Sequence, residues 1–312
     1  MKNKLYLLSL LPLMLVAKKS KIGGQAIIEG VMMRGKQKIS WAVRKPDGEM
    51  VIEKFPFVSI CKKNKILAAP VLRGAVNLFE SLQIGYKALM RSAEIAMPEE
   101  QKPKEKNFKD SFAMTMSMIF ALLVSLGLFM YLPMFIAQLF LKNSAIEFNF
   151  VAGGVRIFLF VLYLIVISLW KDIRRVFEYH GAEHKAIFTF EDEKELTLEN
   201  MRPYSTMHPR CGTSFLLLVA LVCIFLFSII DALFIHFVGP YPTVISRFLV
   251  HVALIPFVAG FSYEVLKLSD KYQHIFPISL LIKPGLWLQL ITTKEPDDKQ
   301  LETASAALKA AL

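Results

Sequence analysis

The run SFAMTMSMIFALLVSLGLFMYLPMFIAQLFL, Ser111–Leu141, contains no charged residue in 31 positions. A helix of that length extends about 46 Å, against a hydrocarbon core of about 30 Å. With Pro133 inside it, the segment must tilt, kink or extend past the bilayer. Three further apolar runs follow. Val151–Trp170 carries only Arg156. Phe215–Phe237 contains Asp231 and His236, and Ile245–Leu266 contains Arg247, His251, Pro256 and Glu264. Each is long enough to cross a membrane as a helix. Composition agrees, since 54% of the 312 residues are hydrophobic and only 20% are charged.

Lys+Arg outnumber Asp+Glu 37 to 26, a formal charge of +11. In so apolar a chain, basic residues flanking spans are a simpler reading than nucleic-acid binding, for which no motif is present. Their distribution predicts the orientation. Lys102, Lys104, Lys106 and Lys109 precede the first run, Lys171, Arg174 and Arg175 follow the second, and Lys267 and Lys271 follow the fourth. The loops 142–150 and 238–244 hold one lysine between them. The excess of positive charge on one side puts both termini and the 171–213 loop in the cytoplasm. Three cysteines, Cys61, Cys211 and Cys223, are too few and too scattered for a disulfide framework and fit reduced thiols.

The rest of the chain divides around this four-span domain, residues 111–274. Residues 1–20 are an apolar segment between lysines, too short to span and without a small-residue cleavage site, hence an interfacial or hairpin-like anchor. Residues 21–97 combine a β-rich element with an amphipathic helix. ISWAVRK and EMVIEKF alternate apolar and polar residues around a PDG turn, and Leu72, Val76, Phe79, Leu82, Tyr86 and Leu89 then recur at helical spacing. Residues 98–110 form a charged linker. Residues 275–312 enter through a Pro284-Gly285 turn and a Trp287-bearing interfacial segment, and end in a short amphipathic helix. The expected fold class is therefore an α-helical polytopic membrane protein with a small N-terminal β-rich element and interfacial helices.

The stretch FEYHGAEHKAIFTFE, Phe177–Glu191, lies just past the second span. In a helix, His180 and His184 stand one turn apart on one face, a spacing that lets two imidazoles reach one divalent ion. Glu183 lies close by, where it can act as general acid/base on water activated by such an ion. The H-x-x-E-H order is that of inverted zinc proteases. A catalytic zinc usually takes three protein ligands. His208 and Cys211 in MHPRCGTSF, before the third span, and Glu264 in AGFSYEVLK, at the inner end of the fourth, are the candidates for the remainder. A pair of interfacial histidines without a metal is the alternative. Asp231 and Arg247 fall at similar depth in adjacent spans and are expected to form a structural ion pair, with His251 as another partner; a proton path through them is the alternative.

Several segments together, GGQAIIEGVMMRG, AVRKPDGE, FEYHGAEHKAI, LTLENMRPYSTMHPRCGTSF, AGFSYE and KPGLWLQLITTKEPDD, resemble in order the YqhQ-like bacterial membrane proteins. That family is a domain of unknown function described as predicted metal-dependent enzymes. The resemblance runs from about Lys21 to Leu312. It implies a multi-span protein of the bacterial cytoplasmic (inner) membrane with a metal centre. It also draws attention to Glu29 and Arg34, the charged residues of the first segment. They are candidates for a substrate-contact loop or, alternatively, for an ion pair with one another.

Two function classes follow. In the first, the chain is a metal-dependent enzyme, zinc being the expected cofactor. It hydrolyses or transfers a lipid-linked or membrane polypeptide substrate at the cytoplasmic boundary of the lipid bilayer. In the second, the metal site is structural and the protein is a membrane biogenesis factor with translocation, assembly or ribosomal partners. A transporter using the intramembrane charges is disfavoured by four spans without an inverted repeat.

Overall fold

The computed structural model describes residues 22–98, 108–141, 145–209, 211–271 and 276–312. The expected anchor at 1–20, most of the linker at 98–110 and Arg210 lie outside the described residues.

Four strands, β1 (Gly23–Ile27), β2 (Gly30–Arg34), β3 (Lys38–Arg44) and β4 (Met50–Pro56), form an antiparallel meander in sequential order. The PDG turn joins β3 to β4, with Gly48 at φ +93°, where a side chain would be strained. The Gly-rich first segment is itself a hairpin, Ile27 pairing with Gly30 across Ile28 and Glu29. Glu29 takes the left-handed conformation there, at φ +51°. Side chains alternate faces along a strand, and both faces of this sheet are covered. Val31, Met33 and Ala42 pack on one side, Met32, Trp41 and Val43 on the other.

After the short α1 (Ile60–Lys63), the amphipathic helix α2 (Leu72–Ala96) covers the second of these faces with Ala88 and Ile95. It also crosses the fourth span at Gly74, where an added Cβ would lie 2.5 Å from the Gly260 carbonyl oxygen. The first span consists of α3 (Phe108–Leu126), a π-helical turn (Gly127–Tyr131) and α4 (Leu132–Phe140). Pro133 has no N–H for the carbonyl four residues before it, that of Phe129. Arg156 of α5 (Ala145–Ser168) donates to that oxygen from Nε at 2.8 Å, which explains a guanidinium inside an apolar helix.

Trp170 is extended and interrupts the helix, so α6 (Lys171–Glu191) is a separate element rather than a continuation of α5. Then come α7 (Leu198–Met201), α8 (Gly212–Phe237), α9 (Val244–Lys271), α10 (Phe276–Thr292) and α11 (Asp298–Ala311). Phe112–Phe140, Ile146–Ser168, Val219–Phe237 and Val244–Val265 are long and apolar enough to cross a membrane. Pro284 lies inside α10, not at the Pro-Gly turn expected from sequence. This apolar helix packs along α8, and that packing offsets the hydrogen bond lost at the proline.

The tail helix α11 closes the extramembrane body. Asp297 caps it in a reciprocal box with Gln300. Leu301, Ala304, Ala307, Leu308 and Ala311 join Tyr179, Ala182, Ala186 and Ile187 of α6 against the first sheet face. The chain's C-terminal end thus fixes α6 against the N-terminal sheet.

Candidate metal centre

Helix α6 presents His180 and His184 one turn apart, ring centres 4.4 Å from each other. Cys211 sits in a turn just before α8, its N–H bonded to the His208 carbonyl at 3.2 Å. Its Sγ lies 3.1 Å from His180 Nε2. One donor atom from each of His180, His184 and Cys211 falls within 4.8 Å of the others, and all three residues are buried.

Both imidazoles are oriented by main-chain carbonyls. His180 Nδ1 donates to Thr292 O at 2.7 Å and His184 Nδ1 to Thr206 O at 2.5 Å. Those bonds put the proton on Nδ1 and leave Nε2 as the lone-pair atom, the outer-shell arrangement that metal-ligating histidines use. His184 Nε2 is buried, with only the weak Cys211 thiol beside it as a partner. Burial, reinforced by His180, lowers the His184 pKa to about 4, so the ring stays a neutral donor at physiological pH.

Glu183 faces the same space and is 5% exposed. Burial raises its carboxyl pKa to about 8; His180 pulls it down, Cys211 pushes it up, and the Gly24 N–H that it accepts from lowers it. Its Oε2 has no partner. A Cβ on Gly24 would lie 2.7 Å from Glu183 Oε1, so only glycine lets β1 come this close. Gly181 has a similar role, since a Cβ there would stand 2.1 Å from the Lys294 carbonyl oxygen.

The other sequence candidates lie elsewhere. His208 is buried beside the cluster, its ring centre 5.6 Å from that of His184, but its Nε2 is 3.5 Å from Glu191 Oε2. Gln289 holds the His208 main chain, accepting from its N–H at 2.7 Å and donating to its carbonyl at 2.9 Å. Glu264 is not brought to the cluster. Arg73 binds its carboxylate through both Nε, at 2.7 Å, and Nη2. Glu29 pairs with Arg175 rather than with Arg34, accepting from Nη2 at 2.7 Å and from Tyr179 Oη at 3.3 Å. The Arg34 guanidinium stacks 4.5 Å from the Phe57 ring centre. Glu29 stands against α6 and Arg34 at the end of β2.

Asp231 is fully buried among polar partners. Oδ2 accepts from Arg247 Nε and Asn149 Nδ2, both at 2.7 Å. Oδ1 accepts from His251 Nε2 at 2.8 Å and Tyr241 Oη at 3.0 Å. Sequence reading missed Thr206, Thr292, Gln289 and Gly181. Gly181 was the detectable one, because a glycine between the histidines costs helix stability unless something approaches closely.

This is a mostly helical protein with four helices long and apolar enough to cross a membrane, a small antiparallel sheet, and a buried two-histidine, one-cysteine cluster. The chain belongs to the family described as "Protein of unknown function (DUF1385)", whose model matches residues 69–312. It is similar to the "Uncharacterized protein YqhQ" of Bacillus subtilis (strain 168), with 38% identity over 297 residues, 90% of this chain and 89% of that one. No solved structure matches. His180, Glu183, His184 and Cys211 fall within the span matched by the family model, whereas Gly24 and Glu29 precede it.

Proposed function

We propose that the protein is a metal-dependent enzyme of the bacterial cytoplasmic membrane, with His180, His184 and Cys211 holding one divalent ion, zinc by the chemistry of the donors. The observation that carries this reading is the convergence of three buried donors, His184 Nε2 lying against the Cys211 thiol while its Nδ1 is tied to a carbonyl. A thiol is a weak partner for a buried imidazole nitrogen, and an ion ligated there would satisfy both groups. Two imidazoles and a thiol match the borderline-soft preference of zinc, and three protein donors leave one position open, as catalytic sites do. The basic residues after the second apolar span, Lys171, Arg174 and Arg175, and after the fourth, Lys267 and Lys271, support a cytoplasmic site.

When bound, the ion would act as a Lewis acid and lower the pKa of water from 15.7 to about 7. Glu183 takes the proton from the attacking water and delivers it to the leaving group. With an ion beside it the carboxyl would be ionised and free to accept the proton, and its burial favours passing that proton on. Gly24 fixes one carboxylate oxygen, leaving Oε2 available for the proton. The substrate is membrane-associated, because the cluster lies between α6 and the start of a span helix.

Elemental analysis of detergent-purified protein tests the reading. One zinc per chain is expected in the wild type and in Glu183→Gln, and well under one in His180→Ala, His184→Ala and Cys211→Ala. Equal metal content in all five proteins would refute the assignment.

A further inference from the structure

We infer that the protein holds an anionic phospholipid, its acyl chains in an apolar recess beneath α2 and its headgroup against Lys62, Lys63, Lys65 and Lys267. The site uses no residue of the metal cluster and is tested apart from it. The recess follows from how α2 meets the spans. Gly74 packs on Gly260 of the fourth span, and Tyr86 Oη donates to Met118 Sδ of the first at 3.2 Å. At about 1.5 Å per residue, both contacts lie roughly 8 Å inside the ends of those spans, so this part of α2 runs along the membrane plane. The two spans touch farther in, where Tyr131 and Phe248 meet edge to face, ring centres 5.8 Å apart. Between there and α2 they part. Every residue from Phe112 to Ser125 is exposed, as is Ile255, two turns from Phe248 on the same face of α9.

Helix α2 roofs this space with apolar side chains. At about 100° per residue, Leu78, Leu89, Leu82, Tyr86, Phe79 and Met90 follow one another round an arc of roughly 120°, all of them exposed. The arc begins beside Gly74 and includes Tyr86, so it faces the gap between the two spans. The rim of the recess is basic. Cys61 Sγ donates to the Leu67 carbonyl at 3.4 Å and lies 4.0 Å from that of Arg73, which pairs with Glu264. That fold-back brings Lys62, Lys63 and Lys65 to the end of the fourth span, where Lys267 follows Glu264 by one turn; all four lysines are exposed. Glu80, the one carboxylate between Phe57 and Met90, is buried and accepts from the Ile60 N–H at 2.6 Å. Clustered lysines at a membrane surface attract anionic headgroups, and an apolar helix face beside them takes the chains. The same charge disfavours two other covers. Residues 1–20 carry Lys2, Lys4, Lys18 and Lys19 and no acid, and a second copy would bring an identical basic rim.

Native mass spectrometry of the full-length protein in a non-ionic detergent tests this, by titration with dioleoyl phosphatidylglycerol or dioleoyl phosphatidylcholine, which share their chains and differ in headgroup charge. One phosphatidylglycerol per chain is expected to bind at least about tenfold tighter than phosphatidylcholine. The triple variant Lys62→Gln/Lys63→Gln/Lys65→Gln, changed only at exposed positions, should lose most of that preference while phosphatidylcholine binding and melting temperature stay the same. The double variant Phe79→Ser/Leu82→Ser should weaken both lipids by a similar factor. Equal affinity for the two lipids overturns the proposal, as does a preference that survives the lysine substitutions or binding that ignores the α2 substitutions. A dimer that takes up neither lipid would give the recess to a second copy, and uptake of phosphatidylglycerol only after removal of residues 1–20 would give it to that segment; either result overturns the proposal.

Discussion

Replacing Glu183 with glutamine should stabilise the metal-free protein, by an amount that depends on pH. The wild-type carboxyl titrates at about 8 in the fold against 4.5 when unfolded. Between those values the unfolded chain has released the proton and the folded chain has kept it. Folding stability therefore falls as pH rises, by about 1.4 kcal/mol per unit. His184 has the opposite sign. Its pKa of about 4, against 6.5 unfolded, makes stability rise with pH over that interval. The two slopes nearly cancel from pH 4.5 to 6.5, and Glu183 acts alone from 6.5 to 8. Over that upper interval, metal-free wild type should lose about 2 kcal/mol that Glu183→Gln does not lose. At pH 7 the variant should be the more stable by about 3 kcal/mol, and its melting temperature in detergent with a chelator higher by several degrees. With zinc bound, the carboxylate faces a cation and the advantage should vanish. Parallel melting curves for the two metal-free proteins from pH 6.5 to 8 would refute the buried-acid account.

Zinc affinity should rise with pH, because binding displaces the protons of Cys211 and Glu183; calorimetry in two buffers of different ionisation enthalpy would count between one and two protons released. His208→Ala should keep a full equivalent of zinc, since His208 faces Glu191; loss of the metal would make the site a closed four-ligand structural one. Gly181→Ala should weaken zinc retention and lower stability by about 1–3 kcal/mol, because the Lys294 carbonyl must move and Thr292 with it. Asp231→Asn leaves Arg247 buried without its counter-charge, and thermal unfolding in detergent should show a loss of about 3–5 kcal/mol with zinc content unchanged.

The spans were legible because membrane crossing imposes a coarse requirement, about 20 apolar residues, on Ser111–Leu141 and its three successors. The β3–β4 hairpin was legible from alternation and a turn. The β1–β2 hairpin was hidden by glycines, which carry no alternation, and by Glu29 in a left-handed turn where sequence would place glycine or asparagine. His180, Glu183 and His184 were legible because helical spacing is local. Choosing among the remaining ligand candidates required long-range packing. Cys211 reaches the histidines, whereas Glu264 is held by Arg73 across 191 positions of chain. Nothing local distinguishes those carboxylates and thiols. The histidines' outer partners, Thr206 and Thr292, act through backbone oxygen, so their side-chain identity carries no signal.

X-ray absorption at the zinc edge of purified protein tests the central claim most directly. The account predicts one sulfur at about 2.3 Å and three nitrogen or oxygen neighbours at about 2.0–2.1 Å, two with imidazole scattering. Zinc with no sulfur neighbour in the wild type, or a spectrum unchanged by Cys211→Ser, would contradict it.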